Sequence, residues 1–427
     1  MSFQQSIEWL SRAKKVVPLA SQTFSKCSTQ LSVGAAPLFL DRAKGAHVWD
    51  IDGNEYVDQV LSLAPIVLGY GYDEVDNAVR EQMQKGTILS LPGKLETEVA
   101  EKICSLIPGA EMVRYGKNGS DVTAGAIRVA RAYTGRDIVA AGGYHGWQDW
   151  YIGSTTRNKG VPKATQELTK TFTYNNIESL EKIFAEYPGQ VAAVILEPIG
   201  VEFPKDNFLQ KVKDLTHKNG AVLIFDEMVT GFRIALGGAQ AYFGVTADLA
   251  CFGKAVANGY PISVLTGKRE LMKECEEIFF SFTFGGELLS LAAALKTMTI
   301  LERDRVNEKI NAMGNKLQDG YNTLVHEFDL GQRTKALGYG SHHVITWKNE
   351  AGEDDLAAKT VFQEMMMSQG VLTICSNNTC FSHTENDIDR ILGAYRVALS
   401  RVKEGIDSGK IESLIQGTKL QPVFRKP

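Results

Sequence analysis

Short apolar runs recur through the middle of the chain, and the segments between them space their apolar residues three and four positions apart. Asp137–Ala141, Val191–Leu196, Ala221–Phe225 and Leu249–Phe252 are runs of this kind, rich in β-branched side chains and bounded by glycine, asparagine or acidic residues. Runs of that length and composition predict strands buried on both faces. Glu111–Tyr115 predicts a further brief strand. Between them, Leu95–Leu106, the stretch from Ser120 through Ala126, Ile127, Ala130 and Tyr133, and Phe208–Asn219 keep helical spacing. Strand and helix in alternation argue for a mostly parallel, helix-covered sheet of the α/β class.

The two ends of the chain read differently. Ser6–Val17 is an amphipathic helix by its spacing, Ser21–Gln30 is polar and aperiodic, and Pro37–Leu40 with Ala46–Val57 predicts strands joined through an Asp52-Gly53-Asn54 turn. Ser62–Tyr72 is rich in small residues and leads to a helix over Asp73–Lys85. After an apolar helix at Leu288–Leu301, Arg305–Phe328 predicts a long helix that leaves the sheet. An antiparallel pair over 336–347, a helix at Leu356–Ser368, a strand at Val371–Cys375 and a helix at Ile388–Val402 with a capping-box start at Thr384 follow. The expected organisation is an N-terminal segment at 1–61 that packs with the small domain, a large domain at 62–311 and a smaller α+β domain at 312–427.

Chemistry gathers at the strand tips. Asp226 follows Ala221–Phe225, and Lys254 follows Leu249–Phe252 and Gly253. Open α/β sheets bind ligands outside the carboxyl ends of their strands, so this acid and this amine are placed for one shared ligand. Pyridoxal phosphate chemistry needs such a pair: a lysine for the aldehyde, and a carboxylate facing the pyridinium nitrogen. Gly253 leaves room for a cofactor, and apolar surroundings lower an amine toward the ~7–8 range useful for proton transfer. A nucleotide hydrolase with Asp226-Glu227 as its Walker B acids is the rival reading. It requires an upstream Gly-x-x-x-x-Gly-Lys-Ser/Thr, yet Gly93-Lys94, Gly116-Lys117 and Gly267-Lys268 are followed by Leu95, Asn118 and Arg269.

Three other strand tips add to the site. Gly116-Lys-Asn-Gly-Ser120 ends at a helix N-terminus, where backbone N–H groups bind phosphate, with Gly119 allowing close approach and Ser120 the expected N-cap. Gly142-Gly-Tyr-His-Gly-Trp147 would let Tyr144 lie flat over a planar ring. Val191–Leu196 delivers Glu197.

Composition narrows the function class. The 427 residues are 44% hydrophobic and 22% charged with net charge −4, and no basic stripe suggests a nucleic-acid partner. No run approaches the ~18 apolar residues of a membrane span, and no secretory signal opens the chain, so a cytoplasmic location is expected. The six cysteines are scattered without metal-ligand spacing, and His342-His343 reads as a strand edge, so no metal is assigned.

With these residues in hand, the chain resembles the class III aminotransferases of the fold-type I pyridoxal phosphate group, and among them is most similar to glutamate-1-semialdehyde 2,1-aminomutases. The resemblance runs from Pro37-Leu-Phe through Phe225-Asp-Glu-Met-Val-Thr-Gly-Phe-Arg233, Gly253-Lys254 and Phe282-Thr-Phe-Gly-Gly286. It implies that Lys254 forms the Schiff base, Asp226 partners the pyridinium, Gly119 and Ser120 bind phosphate, Tyr144 stacks on the ring and Glu197 is the acid beside the cofactor. It also implies a homodimer in which Thr283 reaches the neighbouring subunit's phosphate. Val229 stands where many relatives carry a glutamine to the ring hydroxyl. For substrate, Ser25 matches a serine of the N-terminal loop, Ser28 stands at the place of an arginine, Leu63 replaces a tryptophan, and Asn377-Asn378 lie near the place of a glutamate. The Ser281–Glu287 loop resembles relatives linked to sugar and surface-polysaccharide pathways. The implied activity moves an amino group from an amino-acid donor to an aldehyde or keto acceptor, such as a sugar or semialdehyde, with intramolecular transfer, as in the aminomutase, as the alternative.

Overall fold

The computed structural model describes residues 1–422. The chain divides into two compact units, Met1–Tyr72 with the chain from Lys309 onward, and Asp73–Glu308. The last five residues of the expected 312–427 domain lie outside the described residues.

The first unit begins with a helix at Gln4–Ala13 whose leading N–H groups, those of Gln5 and Ser6, donate to the Asp52 carboxylate at 2.8 and 2.9 Å. The polar turn expected to close a hairpin therefore also caps a helix distant in sequence. Strands β1 (Leu40–Lys44), β2 (His47–Asp50) and β3 (Glu55–Asp58) pair antiparallel in that order. Residues 62–72 belong to this unit rather than to the large domain expected for them. Buried Asp58 accepts the Val60 and Leu61 N–H groups and the Tyr70 hydroxyl, and Tyr70 exchanges both backbone bonds with Gly45. Between them Leu61, Ser62, Leu63 and Ala64 all have positive φ, from 45° to 80°, a strained run for residues that carry a Cβ.

The second unit is built on seven strands. These are β4 (Met112–Gly116), β5 (Ile138–Gly142), β6 (Thr169–Thr171), β7 (Val191–Leu196), β8 (Val222–Asp226), β9 (Leu249–Phe252) and β10 (Ser263–Gly267), in the order β4-β10-β9-β8-β7-β5-β6. Strands β5 to β9 run parallel, whereas β10 is antiparallel to both neighbours. Side-chain alternation sorts the apolar runs into two cores. Ala193, Ile195 and Ile224 face Val122, Ala126 and Val129 of the helix Gly119–Thr134. Val194, Leu196, Leu223 and Phe225 face Leu180, Phe184, Leu209 and Val212 of helices Ile177–Glu186 and Phe208–Lys218. The expected N-cap Ser120 lies inside its helix; Asn118 is the cap, because Asp121 Oδ2 accepts the N–H groups of both Lys117 and Asn118 at 3.0 and 2.7 Å.

Returning to the first unit, β11 (Thr334–Tyr339) and β12 (His342–Trp347) pair antiparallel as expected. The single strand expected at Val371–Cys375 divides in two. Strand β13 (Val371–Leu372) joins β3 in parallel, Cys375 turns the chain with φ +65°, and β14 (Ser376–Asn378) joins β12. Helices Leu356–Ser368 and Glu385–Asp407 pack on one another. Among the described residues no helix is long and apolar enough to cross a membrane.

His343 on β12 is fully buried, and burial holds its imidazole at about 4, below the ordinary 6.5. A group depressed on folding contributes stability above the unfolded value that is lost as pH falls toward the folded one, here roughly 3 kcal/mol between pH 6.5 and 4. Urea midpoints measured from pH 7 to 4.5 are expected to fall more steeply in the parent than in His343→Gln. Parallel curves would remove His343 as the cause.

Candidate active site

Strand β8 is apolar and buried throughout until its last residue, Asp226, which is itself 3% exposed. A carboxylate at that depth needs partners. His145 Nδ1 lies 2.8 Å from Oδ2, and the Met228 N–H donates to Oδ1 at 3.1 Å. His145 Nε2 lies 3.2 Å from the Gly142 carbonyl, which can only accept, so the ring is held between that carbonyl and the Asp226 carboxylate. His145 stacks on Trp150 at 6.1 Å between centroids and meets the edge of Tyr151 at 5.3 Å. His145 and its partnership with Asp226 were not singled out from sequence, although the histidine sits between glycines in the quoted Gly142–Trp147 motif.

Lys254 lies on the next strand tip, with Asp226 in register with Cys251 of β9. Its φ of +44° is strained for a residue with a side chain. Burial lowers its amine below the ordinary range; Glu197 and Asp226 act against that, and Arg233 adds to it. Among the described residues its Nζ has no hydrogen-bond or ion-pair partner.

The loop from Gly142 to Trp147 is held from several sides. The Tyr144 N–H donates to Glu197 Oε1 at 2.8 Å, the His145 carbonyl accepts from Thr123 at 3.0 Å, the Trp147 N–H donates to Ser120 Oγ at 3.3 Å, and the Tyr151 hydroxyl donates to the Gly143 carbonyl at 2.7 Å. Tyr144 nevertheless keeps 53% of its surface open, its ring edge-on to Tyr151 at 5.7 Å. Burial and the adjacent Asp226 raise the Glu197 carboxyl above its usual range. Gly119 and Ser120 open the helix Gly119–Thr134, whose first N–H groups have no partner within the helix by position. Met228 links this turn to the lysine: a Cβ on Gly119 would come within 2.9 Å of its Sδ, and one on Gly253 within 2.7 Å. Both glycines let the same thioether pack closely.

Other expected residues lie as follows. Val229 is partly buried on the loop after β8. Thr283 is exposed and lines a cavity of about 220 Å³ with Leu89, Pro92 and Glu96. In the first unit, Ser25 is in the short turn Phe24–Lys26 and Asn378 is a buried residue of β14. The Asn378 amide is committed to the Val60 carbonyl and to His342, which leaves little of it for a substrate. Glu227, fully buried, accepts from Thr230, from Ala239 N–H at 2.7 Å and from Gln240 N–H at 3.0 Å, and burial pushes it up to about 7. A carboxyl so enclosed cannot serve a nucleotide-bound metal as a Walker B acid, and that reading is withdrawn.

The residues suit pyridoxal phosphate. An unpartnered amine of lowered basicity can take an aldehyde, Asp226 can face a ring N–H, and helix-end amides can take a phosphate.

Comparison with known proteins agrees. The family model described as Aminotransferase class-III matches residues 30–385. The 3-aminobutyryl-CoA aminotransferase of Cloacimonas acidaminovorans is 38% identical over 381 residues, covering 87% of this chain and 91% of that protein. Glutamate-1-semialdehyde 2,1-aminomutase 2 of Halalkalibacterium halodurans is 34% identical over 430 residues, covering 94% and 100%. Among solved structures, a PLP form of the FumI protein of Sphingopyxis sp. MTA144 superposes with a TM-score of 0.88 at 27% identity, covering 95% of this chain and 98% of that one.

Leaving a buried carboxylate without its hydrogen-bond partner costs about 3 kcal/mol. His145→Phe, which keeps a ring against Trp150, is expected to lose that much in chemical denaturation and to turn over at least tenfold more slowly. A variant with the parent's stability and rate would show that the pair matters to neither.

Proposed function

The chain belongs to the class III aminotransferases and is a pyridoxal phosphate-dependent enzyme of that family; from that premise we propose that it takes nitrogen from an amino-acid donor and delivers it to a separate aldehyde or keto acceptor, as a cytoplasmic homodimer. The observation that carries the reading is the pairing, on adjacent parallel strands, of an unpartnered amine, Lys254, with a carboxylate, Asp226, whose Oδ2 is already held by His145.

When bound, pyridoxal phosphate supplies an aldehyde that carries the amino group and a ring that withdraws electrons from the breaking bond. The remaining work belongs to the chain. Lys254 would hold the cofactor and, once the donor amine has displaced it, would carry the proton from the substrate carbon that bears nitrogen to the cofactor's aldehyde carbon. Burial suits it to this, since an amine below its ordinary range is more often unprotonated near neutral pH. Asp226 would keep a proton on the ring nitrogen through a charge-assisted hydrogen bond, and His145 holds the carboxylate's orientation. Gly119 and Ser120 would bind the phosphate through backbone N–H groups and Tyr144 would cover the ring, while Glu197 anchors Tyr144 by its N–H. Val229 lines the cofactor without offering a hydrogen bond from its side chain. Thr283, exposed in the single chain, contributes to the phosphate of the neighbouring subunit.

Intramolecular transfer is the second reading, favoured by the full-length match to the Halalkalibacterium aminomutase. Ser28 and Leu63, standing where the resemblance expects arginine and tryptophan, and the lack of a counterpart to the glutamate, with Asn377-Asn378 near its place, favour two separate substrates. Ser25 remains the proposed substrate contact of the N-terminal loop. Assays with amino donors against semialdehydes, sugar aldehydes and the keto partner of 3-aminobutyryl-CoA should give ping-pong kinetics. Turnover of a single semialdehyde with no second substrate would decide for the aminomutase.

The purified protein is expected to show the cofactor's visible absorbance and to lose its turnover in Lys254→Ala. Asp226→Asn should still bind cofactor but slow by orders of magnitude, because a neutral amide does not hold the ring proton. Near-normal turnover in Asp226→Asn would overturn the electron-sink role.

A further inference from the structure

Lys117 immediately precedes the N-cap of the helix Gly119–Thr134, and no role in catalysis or binding has yet been given to it. Its ammonium reaches Glu287 Oε2 at 2.9 Å and Ser290 Oγ at 3.4 Å, with only 20% and 13% of the Lys117 and Glu287 side chains exposed. Glu287 is itself fixed. It is the N-cap of the helix Leu288–Arg303, and its carboxylate accepts the N–H groups of Leu289 at 2.7 Å and Ser290 at 3.1 Å. The backbone on the lysine's side is fixed as well: its N–H goes to Asp121 Oδ2, and the next carbonyl, that of Asn118, accepts from Ser263 Oγ at 2.8 Å. The ammonium therefore joins two helix starts, one bearing Gly119 and Ser120, the other four residues after Thr283.

We propose that the Lys117–Glu287 ion pair is a positioning device for the cofactor: by tying the residue before the N-cap of the helix Gly119–Thr134 to the fixed N-cap of the helix Leu288–Arg303, it holds the first turn that carries Gly119 and Ser120 in place for the phosphate. The inference rests on the pyridoxal phosphate reading above. Two physical arguments favour position over simple charge attraction. An exposed lysine attracting an anion would be free to swing, whereas this one is mostly buried and spent on a carboxylate. The pair is also formally neutral, so it adds little net attraction for phosphate, while anchoring a site within fractions of an ångström is the usual task of such supporting contacts.

The test measures cofactor affinity of the full-length protein by equilibrium dialysis with pyridoxal phosphate, beside the thermal midpoint of the cofactor-free form. The variants are Lys117→Met, Glu287→Asn, which keeps an N-capping side chain, their combination, and Lys117→Arg. Loss of a charged hydrogen bond that holds the turn should raise the dissociation constant roughly tenfold in each single variant. The double variant should be no weaker than the weaker single one, and Lys117→Arg should stay near the parent. Opposite signs, weaker binding for Lys117→Met but tighter for Glu287→Asn, would show plain charge attraction and overturn the proposal. Unchanged affinity in both, or a lowered midpoint with unchanged affinity, would overturn it equally. A parent protein that takes up no cofactor would instead overturn the functional reading, and this inference with it.

Discussion

A charge at the end of an apolar strand, too deep for water to solvate, governs the architecture of this site. Strand β8 buries every side chain, so Asp226 can exist there only with donors around it. His145 and the Met228 N–H supply them from inside the chain. Once His145 is committed to Asp226, the loop that carries it must come down onto the tip of β8. Glu197, Thr123, Ser120 and Tyr151 then hold that loop through Tyr144 N–H, His145 C=O, Trp147 N–H and Gly143 C=O. The half-open ring of Tyr144 thus stands on a backbone fastened to Glu197.

The amine of Lys254 follows the opposite rule. Desolvation disfavours its charged form more than Glu197 and Asp226 favour it, and among the described residues none hydrogen-bonds its Nζ. A carboxylate satisfied from within and an amine left without a bond, on neighbouring strands, form a polarised pair that an electron-withdrawing cofactor can use. Met228, packed against Gly119 and Gly253, brings the helix-end turn and the lysine to the same thioether. Small residues at those two places are required by packing as much as by any ligand.

Much of this was legible in the order of residues because burial and period act locally. Strand boundaries at Val191–Leu196 and Leu249–Phe252, and the helix Leu356–Ser368, coincide with the runs that predict them. Lys254 and Asp226 could be singled out because strand ends in an α/β sheet face one crevice. Boundaries that depend on partners were less legible. Residues 62–72 join the first unit through Asp58 and Gly45, and the apolar run after Gly370 splits at Cys375 because its two halves pair with different sheets.

What the sequence by itself determined was the layered α/β class, the strand tips and the residue types standing on them, since these follow from side-chain period and from the polarity of short runs. Only the tertiary structure decided which of those residues meet. His145 finds Asp226 across 81 positions and Lys117 finds Glu287 across 170, and no local propensity encodes such a pairing. It depends on the path of the sheet, on the antiparallel β10 that lays Ser263 beside Asn118, and on the low dielectric that makes an unpaired charge costly enough to choose its partner.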